Sequence, residues 1–282
     1  MSFLGQSSMS DYSDVPIVLA FGGNDPSGGA GLPADIQAIG SMGAHPAPVV
    51  TAITVQNTTD VMGFGPLDAE LLLEQASAVL EDMPVRAIKV GMLGSAENAF
   101  ALAELLEEYP EIPVVLDPVL AAGGGTPLAD IALQEAIIDV LLPHVTLLTP
   151  NSQEARILVP DTELLDECAT TLMEAGAHHV LITGTHEDTG PVHNRLYSLR
   201  RAIETITLSR LPGEFHGSGC TLASAVAALI ARGLPISDAV HQGLHYTWNS
   251  LRYAHRLGSG QLIPDRLFTD APLSGSERHE LH

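Results

Sequence analysis

The stretch His216-Gly217-Ser218-Gly219-Cys220-Thr221 is a glycine-rich turn that leads directly into a long apolar segment, residues 222–230. A turn of this kind at the start of a helix leaves backbone N–H groups unpaired, at the positive end of the helix dipole. Glycine at 217 and 219 lets the main chain approach a ligand closely. The stretch predicts an anion site. An ordinary glycine-rich helix start explains the same residues about equally well.

Cys220 follows this turn, at a position where the field of the helix would favour a thiolate. Phosphoryl transfer needs mostly positioning and charge neutralisation, together with a group that accepts the hydroxyl proton. Cys220 is therefore a candidate base, beside a cradle formed by Gly217, Ser218 and Gly219. The other cysteine, Cys168, lies among apolar residues of a predicted helix and is interpreted as a buried, inert thiol.

Short apolar runs alternate with amphipathic segments along the rest of the chain. The runs predict strands at 17–21, 48–55, 87–90, 114–116, 145–148 and 180–183, then a strand pair at 192–199 and 203–208. The amphipathic segments predict helices at 32–42, 67–80, 96–109, 131–142, 152–158, 164–175, 221–231 and 237–257. This alternation predicts an α/β fold with a mainly parallel central sheet and helices on both faces.

The chain of 282 residues predicts one domain, residues 15–269, between a flexible arm at 1–14 and a flexible tail at 270–282. Only 12 Lys and Arg stand against 34 Asp and Glu, a formal net charge of −22. Such a surface repels nucleic acid and anionic membranes, so neither is an expected partner. The two cysteines indicate neither a disulfide framework nor a zinc site, which fits a reducing cytoplasm.

Polar clusters follow the predicted strands, where open parallel sheets bind their ligands. Asp35 could hydrogen-bond a polar ring or merely complement a helix start, and Gln56 could bind a heteroaromatic ring or end its strand. Asp117 could serve a metal or phosphate, or form an Asp-Pro turn. Glu154 could hold Mg²⁺ through water, while Asn151 and Glu154 also suit a helix N-cap.

Six blocks at these strand ends occur together: Gly22-Gly23-Asn24-Asp25-Pro26-Ser27-Gly28-Gly29-Ala30-Gly31 with Ala34-Asp35, Thr51-Ala52-Ile53 with Gln56-Asn57-Thr58, Lys89-Val90-Gly91-Met92-Leu93, Asp117-Pro118-Val119, Thr149-Pro150-Asn151 with Glu154-Ala155, and His216-Gly217-Ser218-Gly219-Cys220-Thr221-Leu222. In this order they resemble the hydroxymethylpyrimidine/phosphomethylpyrimidine kinases of thiamine biosynthesis. The resemblance implies a ribokinase-like fold, usually dimeric, and two successive ATP- and Mg²⁺-dependent phosphorylations of 4-amino-5-hydroxymethyl-2-methylpyrimidine.

The resemblance also implies roles for particular residues. Cys220 would act as the base, beside an anion hole formed by Gly217–Gly219, and Glu154 would serve the metal. The pyrimidine pocket would be lined by Gly23, Ala30, Asp35, Gln56, Met92 and Val119. The ATP phosphates would lie near Asp117, Asn151, Thr183 and Gly184.

The chain departs from the family pattern after the sixth predicted strand, where Thr183-Gly184-Thr185-His186 replaces a common Lys-Gly-Gly-His. Without that lysine, ATP binding must depend on Mg²⁺, the anion hole or an arginine, and the second phosphorylation is less certain than the first. A pyridoxal kinase is an alternative, since related pockets accept both rings. A non-catalytic protein that senses the pyrimidine is another.

Overall fold

The computed structural model describes residues 14–268, and their strands form one nine-stranded sheet. The strands are β1 (Ile17–Asn24), β2 (His45–Gln56), β3 (Val61–Pro66), β4 (Val85–Val90), β5 (Val114–Leu116), β6 (Leu147–Leu148), β7 (His179–Ile182), β8 (Val192–Ser198) and β9 (Arg201–Leu208). Their order is β3-β2-β1-β4-β5-β6-β7-β8-β9. Strands β2, β1 and β4 to β7 are parallel, whereas β3 at one edge and β8 and β9 at the other pair antiparallel.

Helices cover both faces of the sheet, as the sequence predicts. The helices are α1 (Gly31–Ser41), α2 (Ala69–Asp82), α3 (Ala96–Glu108), α4 (Ile131–Ala136), α5 (Ser152–Leu158), α6 (Leu165–Glu174), α7 (Ser218–Ala231) and α8 (Ile236–Arg252). One apolar core joins the sheet to α2 through α6, and a second joins it to α1, α7 and α8. Among the described residues, no helix combines the length and the apolar character needed to cross a bilayer.

The two cores follow from the two-residue period of a strand. Leu19 and Phe21 of β1 belong to the core on the α2–α6 side, while Val18 and Ala20 belong to the core on the opposite side. A strand buried on both faces reads as a continuous apolar run, which is why β1 was predictable. Fully burying a side chain such as Leu19 contributes about 2 kcal/mol.

Beyond shifts of a few residues at the ends of elements, the prediction and the structure differ at three places. Strand β3 was not predicted, because its sequence Val-Met-Gly-Phe-Gly-Pro contains residues that are poor strand formers. The helix predicted at 237–257 ends at Arg252, because His255 pairs with Ile263 through two backbone hydrogen bonds of 2.8 and 2.9 Å. The helix predicted at 131–142 is α4 followed by a π-helical turn, Ile137–Leu141.

Two expectations about chain ends lie outside the described residues. The arm at 1–14, apart from Asp14, and the tail at 270–282 are not described. The single-domain boundary at 15–269 therefore stays a prediction.

Candidate active site

The residues singled out in the sequence gather at the carboxyl ends of the parallel strands, around the first turn of α7. Gly217 precedes the helix in the left-handed conformation, with φ of 76°. No side chain caps α7, and within residues 14–268 the N–H groups of Ser218, Gly219 and Cys220 donate to no protein acceptor. The first helical hydrogen bond runs from Thr221 N to Gly217 O at 3.0 Å. Three backbone donors are thus unpaired, as the turn predicts, and their use as an anion site stays a prediction.

The Cys220 thiol is partly exposed in this turn. Burial among the surrounding protein atoms raises the pKa of Cys220 to about 12. Lys89 lowers this pKa, but the negative charges of Asp117 and Asp35 oppose the thiolate and add to the effect of burial. The expectation of a thiolate in the free protein is therefore corrected: the thiol is protonated near neutral pH. Burial and two carboxylates outweigh the attraction of Lys89 for a thiolate, and the sequence argument considered neither of them.

Asp35 and Lys89 form a buried ion pair directly beneath this turn. Lys89 Nζ lies 2.8 and 2.9 Å from the two Asp35 carboxylate oxygens, and Ser224 Oγ of α7 donates to one of them at 2.7 Å. Attraction to Asp35 raises the pKa of Lys89 above its usual range, even though burial alone would lower it. The Asp35 side chain has no exposed surface, so in this conformation it cannot touch a ligand. Its expected contact with the pyrimidine is replaced by a structural ion pair.

Four of the other five residues predicted for the pyrimidine pocket lie close together, while Ala30 lies against Gly217. Met92 and Val119 share one small apolar cluster. A Cβ added to Gly23 would fall 3.1 Å from the Met92 sulfur, so Gly23 borders the same space. Gln56 ends β2 with its amide accepting from Thr54 Oγ1 at 3.0 Å. An apolar wall with an amide at its edge suits a heteroaromatic ring with polar nitrogens.

His216 joins the pocket wall to the loop between β1 and α1. Its Nε2 lies 2.9 Å from the Gln56 amide and 2.8 Å from Asp25 Oδ2. Burial raises the pKa of Asp25, but hydrogen bonds from His216, Ser27 and Ala30 outweigh that effect and hold the pKa below its usual value. Ala30 N donates to the same carboxylate at 2.8 Å. His216 thus faces the site and also holds it together.

A pair of carboxylates lies on the other side of the turn. The Asp117 side chain is almost fully buried beside Gly219, where a Cβ would fall 3.3 Å from Asp117 Oδ2. Burial raises the pKa of Asp117 to about 6, with Asp35 adding to the effect and Lys89 opposing it. Burial, followed by repulsion from Asp117, raises the pKa of Glu154 to about 8. A buried carboxylate whose charge is opposed by a neighbouring carboxylate is suited to binding a cation together with that neighbour.

Asn151 and Glu154 also form the N-cap of α5, as their spacing predicts. Asn151 Oδ1 accepts from the backbone N–H groups of Gln153 and Glu154, each at 2.9 Å. Glu154 Oε2 accepts in return from Asn151 N at 2.9 Å, which completes a capping box. The cap fixes the Glu154 side chain and uses one of its oxygens. Asn151 contributes to the site through this cap.

Thr183 and Gly184 follow β7, next to the start of α5. Thr183 O accepts from Ser152 N at 3.0 Å, which places Thr183 beside the capping box. Gly184 is buried and its N–H points to Asn194 Oδ1 at 3.4 Å, so that N–H is not free for a phosphate. The position of the missing lysine therefore offers no cationic side chain. Arg210 lies near this turn and donates to its carbonyls at Thr185, Glu187 and Thr189.

Three loops converge above the pocket. Thr126 Oγ1 of the loop before α4 donates to Asp60 Oδ2, in the turn between β2 and β3, at 2.8 Å. Gln261 N, in the segment after α8, donates to Thr58 O of the same turn at 2.8 Å. Together with Gln56 and His216, the loops line a narrow cleft. Such a cover excludes water from a bound substrate.

The sequence argument missed the partners that fix the site. The notable signal was Lys89, the only lysine of the chain, inside the apolar strand Ala87-Ile88-Lys89-Val90. A lysine there must find a buried carboxylate, since an unpaired buried charge is strongly unfavourable. Asp25 carried no separate signal, because its role depends on His216, which is 191 residues away in the chain.

Fold and site together define a kinase of the ribokinase-like class. A Staphylococcus aureus pyridoxal kinase in complex with AMP-PCP and pyridoxal has a similar structure, with a TM-score of 0.81 and 27% identity over 89% of this chain and 93% of that chain. A Bacillus subtilis pyridoxal kinase with ADP has a TM-score of 0.80 and 25% identity, covering 90% of this chain and 98% of that chain. A Clostridium difficile phosphomethylpyrimidine kinase has a TM-score of 0.71 and 30% identity, covering 83% of this chain and 98% of that chain. The fold expected from the sequence is confirmed.

The chain belongs to the phosphomethylpyrimidine kinase family, whose model matches residues 25–265. It is 36% identical over 256 residues to a hydroxymethylpyrimidine/phosphomethylpyrimidine kinase of Rhizobium meliloti, covering 87% of this chain and 94% of that protein. It is also 36% identical over 247 residues to the thiamine biosynthesis bifunctional protein ThiED of Geobacter sulfurreducens, covering 86% of this chain but only 50% of that longer protein. The resemblance seen in the sequence is confirmed, and the chain is a phosphotransferase that uses ATP.

Proposed function

We propose that the chain transfers the γ-phosphoryl group of ATP to the hydroxyl of 4-amino-5-hydroxymethyl-2-methylpyrimidine, and then a second phosphoryl group to the monophosphate, for thiamine biosynthesis. The observation that carries the proposal is the uncapped start of α7, with its three free N–H donors, next to the pocket of Gln56, Met92 and Val119. Family membership supports the same activity.

In this proposal the backbone N–H groups of residues 218–220 hold the migrating phosphoryl oxygens. They are fixed before the reaction, so charge that develops on the phosphoryl group meets donors already in place. Cys220 lies in the same turn and receives the hydroxyl proton once its own thiol is ionised. Asp117 is the largest charge that opposes this ionisation, so neutralising Asp117 lowers the pKa of Cys220.

We propose Mg²⁺ as the cation that neutralises Asp117. The described residues contain no cluster of three or more His, Cys, Asp or Glu that could hold a metal ion by themselves. The Asp117 and Glu154 pair nevertheless fits Mg²⁺, which is commonly bound by one or two carboxylates, water and the phosphates of the substrate. When bound, Mg²⁺ would screen the negative charge of those phosphates.

Purified protein should convert the hydroxymethylpyrimidine and ATP to the mono- and diphosphate, identified by product mass. Cys220→Ala should lose at least about 100-fold in kcat while the pyrimidine still binds, since proton transfer contributes about 10²–10⁴-fold. Cys168→Ala is the matched control, because Cys168 is fully buried in α6, apart from the site. No turnover of either pyrimidine would refute the proposed function, and a fully active Cys220→Ala would remove the thiol from the mechanism.

Pyridoxal is a second candidate substrate, because two of the similar structures are pyridoxal kinases with TM-scores of 0.81 and 0.80. The family match and the relatives at 36% identity make it less favoured than the pyrimidine. The ratio of kcat/KM for the hydroxymethylpyrimidine to kcat/KM for pyridoxal separates the two, and a ratio below one would reverse the assignment.

We also propose a cytoplasmic homodimer. The edge formed by β2 and β3 exposes large apolar side chains, although the protein as a whole is strongly acidic: Ile53, Val55, Met62 and Phe64. An exposed apolar edge strand is unfavourable in a monomer, so a second copy is the proposed cover. Light scattering should give twice the mass of 29.7 kDa, and Phe64→Lys should shift the protein toward the monomer. A monomeric wild type at micromolar concentration would exclude this assembly.

A further inference from the structure

Arg266, just beyond the last residue of the family match, has an almost fully buried side chain. It is 1% exposed, and within the described chain it makes no salt bridge to a carboxylate. Its guanidinium group instead reaches neutral acceptors on three parts of the site. Nε donates to Thr221 Oγ1 at 2.8 Å, Nη1 lies near Gly28 O and Gln37 Oε1 at 3.4 and 3.5 Å, and Nη2 donates to Gly29 O and lies 3.5 Å from Gly217 O.

These contacts hold the turn before α7 against the loop before α1. The Gly217 carbonyl accepts from Thr221 N and Thr221 Oγ1, at 3.0 and 2.7 Å, and faces the guanidinium group of Arg266. A carbonyl that is turned inward leaves the N–H groups that follow it turned outward, where they are free. The fork geometry of an arginine can bridge both loops at once, whereas a lysine presents a single point charge.

The buried position of the Arg266 guanidinium group also has an electrostatic consequence. A buried charge that contacts no carboxylate is unfavourable for folding, so its presence calls for a compensating role. Asp25 and Asp35 act on Arg266 only through space. The positive charge lies behind the three free N–H donors of the turn, where it adds to the attraction for a phosphoryl group.

We propose that Arg266 is the positioning residue of the anion hole: it fixes the Gly217 carbonyl inward and places a positive charge that contacts no carboxylate behind the backbone donors at residues 218–220. This inference rests on the proposed function of that turn. It assigns a role in phosphoryl transfer to a residue that does not touch the substrate.

The test compares Arg266→Ala and Arg266→Lys with the wild type in the pyrimidine kinase assay. Arg266→Ala should lose at least 100-fold in kcat with KM for the pyrimidine changed by less than about threefold, because the hole acts on the migrating group. Millimolar guanidinium chloride should restore at least tenfold of that loss, by filling the vacated space, and should leave wild-type kcat unchanged. Arg266→Lys should lose at least tenfold in kcat, since it cannot bridge both loops.

Tyr246→Phe is the matched control. Tyr246 Oη donates to the Arg266 main-chain carbonyl at 2.8 Å, so this variant loosens the same segment without changing the guanidinium group. Its kcat should stay within threefold of the wild type. The inference is overturned if Arg266→Lys keeps full kcat, if Tyr246→Phe loses as much kcat as Arg266→Ala, or if guanidinium gives no rescue of folded Arg266→Ala. Should Arg266→Ala not fold, the Arg266→Lys result decides. An inactive wild type would instead refute the proposed function.

Discussion

Replacing Gly217 by alanine tests the anion hole most directly. The residue has φ of 76°, and a Cβ there would fall 2.0 Å from Gly29 O and 2.8 Å from Ala30 Cα. Both atoms belong to backbone, so they cannot rotate away as a side chain could. The loop before α1 and the turn before α7 must therefore move apart, and the three N–H donors then no longer point to the same place.

The expected size of the effect follows from two separate contributions. An alanine in the left-handed region costs about 1–2 kcal/mol wherever it stands. In a domain of this size that corresponds to a loss of about 2–8 °C in Tm. Misplacing an oxyanion-type donor costs a further factor of about 10²–10³ in kcat. Gly217→Ala should therefore show a moderate loss of stability and a large loss of activity.

Gly233→Ala separates these contributions. Gly233 follows the other end of α7 with φ of 89°, and a Cβ there would meet nothing within 4 Å. Both variants should unfold at lower temperatures than the wild type, and Gly217→Ala should have the lower Tm because only its Cβ also meets backbone atoms. Only Gly217→Ala should lose kcat, measured by coupled ADP release well below either Tm. A Gly217→Ala protein with kcat within threefold of the wild type would refute the anion hole. Equal losses of kcat in both variants would show that the loss reflects general strain.

Three further predictions concern the surroundings of the hole. Lys89→Met should lower the free energy of unfolding by about 3–5 kcal/mol, because it leaves the buried Asp35 carboxylate unpaired. In urea titrations, the double variant with Asp35→Leu should recover most of that loss. Losses of stability that simply add in the double variant would contradict the ion pair. Mg²⁺ affinity, measured by calorimetry, should rise with pH up to about 8, since the pKa of Glu154 lies near 8 and a protonated carboxyl must lose its proton to bind the cation. Glu154→Gln should make the affinity less dependent on pH. A wild-type affinity that does not change with pH would place the metal elsewhere. Thr126→Val should raise KM for the pyrimidine by up to about fivefold and lower Tm by at most about 4 °C, because a hydrogen bond to Asp60 worth about 1 kcal/mol no longer holds the loops closed. An unchanged KM would mean that the loops close without it.

Local parts of the fold and site were predictable from the sequence. The capping box of Asn151 and Glu154 depends on residues three apart, and Ser95 caps α3 by accepting from Asn98 N, as its spacing predicts. Strand β1 was predictable because both of its faces are buried, yet its length was not. Gly22 and Gly23 read as a turn, whereas the strand continues through them to Asn24 with a shift in its pairing to β2.

Long-range pairings were not predictable, and they decide what the candidate residues do. Asp35 was interpreted as a ring contact or a helix-start carboxylate, but its partners are Lys89, 54 residues away, and Ser224, 189 residues away. Neither distance leaves a periodic trace in the sequence. Arg266 is a similar case, because its five acceptors come from segments that a linear pattern cannot bring together.

The charge balance of the site is consistent with the proposal that an acidic protein binds phosphates there. The chain carries a formal net charge of −22, and Lys89 is already committed to Asp35. The remaining attraction for a phosphate comes from backbone N–H groups and from the buried charge of Arg266, neither of which appears in a count of surface charges. Burial, followed by repulsion from Asp117, raises the pKa of Glu154 to about 8, so most of its negative charge is removed near neutral pH. Backbone dipoles and the protonation of a carboxylate therefore offset the negative charge of the rest of the protein at this site. With that compensation, the proposed phosphate binding does not require a lysine after β7.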